Sequence, residues 1–184
     1  SRPDAFRSSE RTMQCIDVLA QGVSRVGYED LPPSVRGRLQ LMLTDLFGVT
    51  IAGIRTPELE ALIGAWRAPP GDRPVPGTAI RTDPETSAYL SAVAACVLEL
   101  DEGNKYAAGH PAAHVVFAAV AAADLSAVEV PGPRFLAAVA AGYEVAARFG
   151  RATRRDPRWH THGHWGVTGA AAASALSRRV SSPG

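Results

Sequence analysis

Apolar side chains return every three to four residues almost from one end of the chain to the other, the repeat of helices that each bury one stripe. From Met13 the positions Ile16, Leu19, Ala20, Val23 and Val26 keep this period, and Gly27 ends the run. Pro32 and Pro33 open a second segment that sets Val35, Leu39, Leu43, Leu46, Phe47 and Ile51 on one side. Two further starts share one grammar, a capping oxygen followed by proline and an acid: Thr56, Pro57, Glu58 and Asp83, Pro84, Glu85. The segment after Asp83 is apolar almost all round from Ala88 through Val97, as suits a central helix packed on several sides. The spacing predicts helices over 9–27, 33–53, 57–67, 84–99, 111–125, 133–151 and 164–179. Between Ala68 and Arg81, four of the fourteen prolines and two glycines mark a loop, with Val75 to Ile80 briefly extended. No repeat of fixed period and no linker divides the chain, so the expected fold class is all-α, a single helical domain of six or seven helices over residues 1–184.

Composition narrows the function classes. With 184 residues, 46% hydrophobic and 20% charged, the chain fills a core. Its 18 acidic and 19 basic side chains leave a net charge of +1, which provides no field for a phosphate backbone, and no nucleic-acid partner is expected. The longest apolar stretch, Val115 to Ala123, is too short to cross a bilayer, and the first residues lack a charged segment leading into an apolar run. A cytoplasmic protein without a membrane partner is the expectation. Cys15 and Cys96 have no CxxC spacing and fall in predicted apolar helices, so both are expected as buried free thiols. The 33 alanines favour helix, and Lys105 is the only lysine among the 19 cations, a bias that a GC-rich coding sequence also produces.

All five histidines lie in two short windows. In the first, Glu99, Asp101 and Glu102 close an apolar helix, Gly103, Asn104 and Lys105 form a loop, and His110 and His114 flank a helix start at Pro111. A helix N-terminus beside His110 favours the neutral, proton-accepting ring and attracts an anion. Glu99 and Asp101 stand two apart, so they share a pocket only if the helix has already unwound. The plain alternative is a solvated helix end with a capping histidine. In the second window His160, His162, His164 and the tryptophans Trp159 and Trp165 precede an alanine-rich helix, with Gly163, Gly166 and Gly169 at spacing three. Glycines at that spacing let backbone approach a ligand or simply a neighbouring helix. Alternating HxHxH suits a strand better than a helix entry, and no carboxylate or cysteine joins it at a recognised interval, so no metal is expected.

At these windows the chain resembles the MmgE/PrpD family, whose members include 2-methylcitrate dehydratase and cis-aconitate decarboxylase. The resemblance rests on Glu99 to Glu102 followed by Gly109, His110 and Pro111, on Gly142, Tyr143, Glu144, Val145 and Arg148, and on His160 through Gly169. It implies a helical domain joined to a smaller α/β lid, dimers, and cofactor-independent chemistry on small polycarboxylates. His110 and His160 match the family's active-site histidines, and Glu99 and Asp101 match acidic positions ahead of the first. The family's threonine or histidine in that loop is replaced by Gly103, Asn104 and Lys105, in a loop one residue longer. Family members are longer than this chain, and their lid supplies lysines that bind substrate carboxylates.

These features together give the expectation of acid/base lyase or isomerase chemistry on a small carboxylate-bearing molecule, with no cofactor. His110 and His160 would be base and acid beside Asp101 and Glu99. Lys105, Asn104, His114, His162, His164, Trp165, Arg148 and two helix N-termini would hold substrate. A homo-oligomer or a separate lid-carrying chain would complete the site. Two alternatives stay open: a pocket recruited to a rearrangement or cyclisation, and a non-catalytic helical binding or scaffold relative.

Overall fold

Prolines and caps start the helices where the sequence places them. In the computed structural model, which describes residues 15–154, 156, 158 and 162–178, α1 covers residues 15–24, followed by α2 (Pro33–Gly53), α3 (Pro57–Trp66), α4 (Pro84–Cys96), α5 (Ala112–Asp124), α6 (Gly132–Ala152) and α7 (His162–Arg178). Pro33, Pro57 and Pro84 stand in first turns, where a missing N–H costs nothing. Thr56 accepts the Leu59 N–H at 3.4 Å and Asp83 accepts the Thr86 N–H at 2.9 Å. Hydrogen bonds from the Thr86 side chain and backbone hold the Asp83 carboxyl down at about 2.

The fold is all-α, with α5 at its centre. Ala112, Ala113, Val115, Val116, Phe117 and Ala119 are buried together with Leu39, Met42 and Leu46 of α2, Val139 and Ala146 of α6, and Trp165 and Ala173 of α7. Burying each of Val115, Val116 and Phe117 contributes roughly 1.5–3 kcal/mol. Small residues bring α6 and α7 close: a Cβ on Gly142 would stand 2.6 Å from the Ala173 Cβ, and one on Gly169 would stand 2.6 Å from the Ala146 Cβ. Gly166 and Gly169 of the second window therefore serve neighbouring helices. A smaller cluster of Ile54, Leu59, Val75, Leu90 and Ala94 seats α3 and the proline-rich loop.

Several boundaries differ from the sequence expectation. The extended backbone is not Val75 to Ile80 but the two short strands flanking it, β1 (Arg73–Pro74) and β2 (Arg81–Thr82), antiparallel with Arg73 opposite Thr82. Between them the chain turns at Gly77, with φ +77, where glycine has no steric penalty. Helix α4 stops at Cys96 rather than 99, although Val97 and Leu98 prolong the apolar run, because Glu99 takes a left-handed φ of 52 and its N–H returns to the Cys96 carbonyl at 3.0 Å. Helix α7 begins at His162, two residues early. Cys15 is exposed, not buried, since α1 packs little of its surface. Cys96 is half-buried, and burial first, then the Asp101 carboxylate, pushes its thiol up to about 12, which favours the protonated thiol over the thiolate. Among the described residues no helix is long and apolar enough to cross a membrane.

Candidate active site

The left-handed turn at Glu99 decides which acid enters the fold. It directs Glu99 to solvent and returns the chain so that Asp101 faces inward. The Asp101 side chain is fully buried at 0% exposure, with Oδ1 3.6 Å from Nδ1 of His110, whose side chain is 31% exposed. The Asp101 carbonyl lies 3.3 Å from the same nitrogen, so one residue orients the ring through both backbone and side chain. Glu99 and Asp101 thus do not share a pocket; unwinding separates them.

The next acid closes the loop. Glu102 accepts the Ala112 N–H at 3.2 Å on each carboxyl oxygen and the Tyr143 hydroxyl at 2.9 Å on Oε1. Pro111 at the N-cap of α5 offers no side-chain oxygen, so Glu102 caps that helix from ten residues upstream. The amide expected to hold a substrate carboxylate is therefore occupied by the chain's own carboxyl. Asn104 donates to the Tyr143 hydroxyl at 3.3 Å, accepts the Ala107 N–H at 2.9 Å, and pairs with Gly109 through bonds of 2.8 and 3.3 Å. Burial pushes the Glu102 carboxyl up to about 7; Asp101 adds to the rise, while Tyr143, Ala112 and His110 pull the other way. Burial also pushes the Tyr143 phenol up, with the Glu102 charge adding to the effect.

Glu102, Asn104 and Tyr143 line one side of a groove of about 670 Å³, whose other side is built from Arg38, Leu39 and Met42 of α2. Sequence reasoning placed Glu102 in the acidic helix end without a role and met Tyr143 only as part of a family pattern. What could have marked them is the absence of a capping side chain at Pro111, which requires a distant acceptor for the first amides of α5.

The remaining expected residues scatter. Lys105 is exposed on the outer turn, next to Tyr106, whose ring lies 5.9 Å from the Arg151 guanidinium. Arg148, expected to hold a carboxylate, pairs with Glu144 one turn earlier at 2.6 Å, with both side chains more than half exposed at 59% and 54%. His114 packs against Gly166, where a Cβ would come within 2.9 Å of Nε2, so the ring belongs to the α5–α7 contact and not to the groove. Trp165 is buried in the core beside Gly150, not in a ligand wall. His164 is half-buried on the same helix. His160 and the His162 side chain lie outside the described residues. Among the described residues no group of three His, Cys, Asp or Glu side chains comes together to hold a metal ion.

A comparison with curated proteins finds no match. The family model for the MmgE/PrpD N-terminal domain matches residues 17–181, from within α1 to beyond α7, and so spans the Asp101–His110 loop, Tyr143 and the glycine-lined α6–α7 crossing. By that match the chain belongs to the MmgE/PrpD family.

Proposed function

We propose that this domain performs acid/base lyase chemistry on a small carboxylate-bearing substrate, with His110 as the proton-transferring group and Asp101 as the residue that orients it. The observation carrying this reading is the fully buried Asp101 carboxylate 3.6 Å from Nδ1 of a partly exposed imidazole. The Asp101 carbonyl 3.3 Å from Nδ1, with the carboxylate beside it, keeps the proton on that nitrogen and assigns proton exchange with a ligand to Nε2. In a dehydration, Nε2 takes the proton from the carbon beside the substrate carboxylate. The electron pair left behind forms the C=C bond, the C–O bond breaks, and the departing hydroxide leaves as water on receiving a proton. His160, which the family resemblance makes an active-site histidine, supplies that proton in this scheme, and Lys105 and the lid lysines that the resemblance implies hold the carboxylates. The site is completed in a homo-oligomer or with a lid-carrying chain.

The test is purification from the native host, mass determination of the intact assembly, and proton NMR of cis-aconitate, citrate and 2-methylcitrate incubated with it. The expected result is conversion of one of these, lowered about 100-fold to 10,000-fold by His110→Ala. Equal turnover in wild type and His110→Ala would remove His110 from the chemistry. A recruited pocket or a non-catalytic relative is the reading left if none of the three is converted.

A further inference from the structure

The groove between α2 and α6 lies on the side of the Glu102 segment that the Asp101–His110 pair does not use, and its charges are unevenly spent. Of the arginines along α2 and α6 that stand near it, Arg36 is paired with Glu29 and Arg148 with Glu144. Arg38 lines the groove and has neither ion pair nor hydrogen bond among the described residues, yet its charge reaches the Tyr143 phenol. Glu144, also on the groove, has its charge offset by Arg148. Asp45 lines the far end, seven residues and about 10 Å along α2 from Arg38. Below Arg38 the wall is apolar and buried at Leu39 and Met42. Opposite stands the Glu102 carboxyl, whose Oε1 accepts both Tyr143 and Ala112, while Oε2 accepts only the Ala112 N–H.

We propose that this groove binds a small monocarboxylate, with Arg38 taking the carboxylate, Leu39 and Met42 covering the apolar body, and Glu102 Oε2 with Asn104 facing its polar side. A guanidinium without an internal anion is the group that a carboxylate satisfies, through two parallel N–H bonds. The volume of about 670 Å³ is in the range that encloses small organic ligands. Charge also separates a carboxylate from an amine here. Near neutrality Glu102 exists partly as the uncharged acid, which donates a hydrogen bond instead of repelling an anion, so binding strengthens toward acid. An amine would show the reverse. The groups facing Glu102 are Tyr143 and Glu144 from α6, Cys96 at the end of α4, Asp101 and His110 from its own loop, and Arg38 across the groove from α2. The ligand class rests on the proposed function; the location does not, and the test reads binding without turnover, so either can fail alone.

The experiment is a titration of the ¹⁵N-labelled full chain with hexanoate, with hexylamine and 1-hexanol as controls, at pH 6 and pH 8. Hexanoate is expected to shift the amides of Leu39, Asn104 and Tyr143 and to bind at least ~3-fold more weakly at pH 8. Arg38→Gln, on an exposed position, is expected to weaken it roughly tenfold to a hundredfold at pH 6. Glu102→Gln is expected to bind at both pH values and to lose the difference between them. Unchanged affinity in Arg38→Gln, hexylamine binding as tightly as hexanoate, or shifts that map elsewhere would each overturn the proposal. A pH dependence that survives Glu102→Gln, where His110 is still present, would overturn the part given to Glu102. Should Glu102→Gln lose its folded spectrum, Arg38→Gln and the hexylamine control still decide.

Discussion

The ring of His114 occupies the space that a side chain at Gly166 would need: a Cβ built there would stand 2.8 Å from Cγ and 2.9 Å from Nε2. The contact joins α5 to α7 at the level of Trp165, so a histidine expected as a ligand candidate also fills a helix crossing.

Gly166→Ala is therefore expected to destabilise the fold by about 1–3 kcal/mol, even though alanine is the better helix former. Urea unfolding measures it. His114→Ala in the same background should recover more than half of the loss, since it removes the obstructing ring. Strictly additive effects of the two changes would show that the ring is not the obstacle.

Glu102 links stability to pH with a definite sign. Its folded pKa of about 7 stands above the ordinary 4.5, so the folded chain keeps a proton that the unfolded chain releases between those values. The stability tied to this proton is fully present below about 4.5 and is lost as pH rises through about 7, on the order of 3 kcal/mol across the window. Glu102→Gln has no proton to lose, and it should gain on wild type between pH 5 and pH 8. Urea melts at the two values check this; a difference that is constant or moves the other way contradicts it.

Tyr143→Phe removes the hydroxyl that donates to Glu102 at 2.9 Å. A hydrogen bond to a charged acceptor is the stronger kind, so the variant should lose about 1.5–3 kcal/mol at pH 8 and roughly 1 kcal/mol at pH 5, where the carboxyl is neutral. Equal losses at both values would mean that the hydroxyl does not sense the charge of Glu102.

Glu99 carries a left-handed φ of 52 on a side chain that favours it poorly. Glu99→Gly should stabilise the chain by roughly 0.5–1 kcal/mol, visible as a raised unfolding midpoint. A fall would show that the exposed carboxylate makes contacts worth more than the backbone strain.

Helices were legible because their determinants are local. Thr56, Asp83 and the first-turn prolines act within four residues of themselves, and a sequence displays such relations directly. Asp101 and His110 were legible as candidates for a similar reason, being nine residues apart on one loop. The Glu102–Tyr143 bond spans 41 residues and depends on how α6 lies against α5, which no spacing records. Arg148 pairs with Glu144 one helical turn away, a local relation that the sequence also displays. Trp165 faces Gly150 of α6, 15 residues away in the chain, and which face of a helix meets such a partner is not a local property.

Asn104 and Gly109 pair across the base of the 105–108 turn, while Glu102 ties the strand end beneath it to α5. Of the four residues between, Ala107 is buried in the core against Gly150 of α6, while Lys105 and Tyr106 are exposed. Ala107 fixes the length of the turn, and the chemistry of these two exposed positions can change without moving His110, as a blade is exchanged on a fixed handle. Substitution at Lys105 and Tyr106 is thus a direct way to vary the surface beside the imidazole while the acid that orients it stays in place.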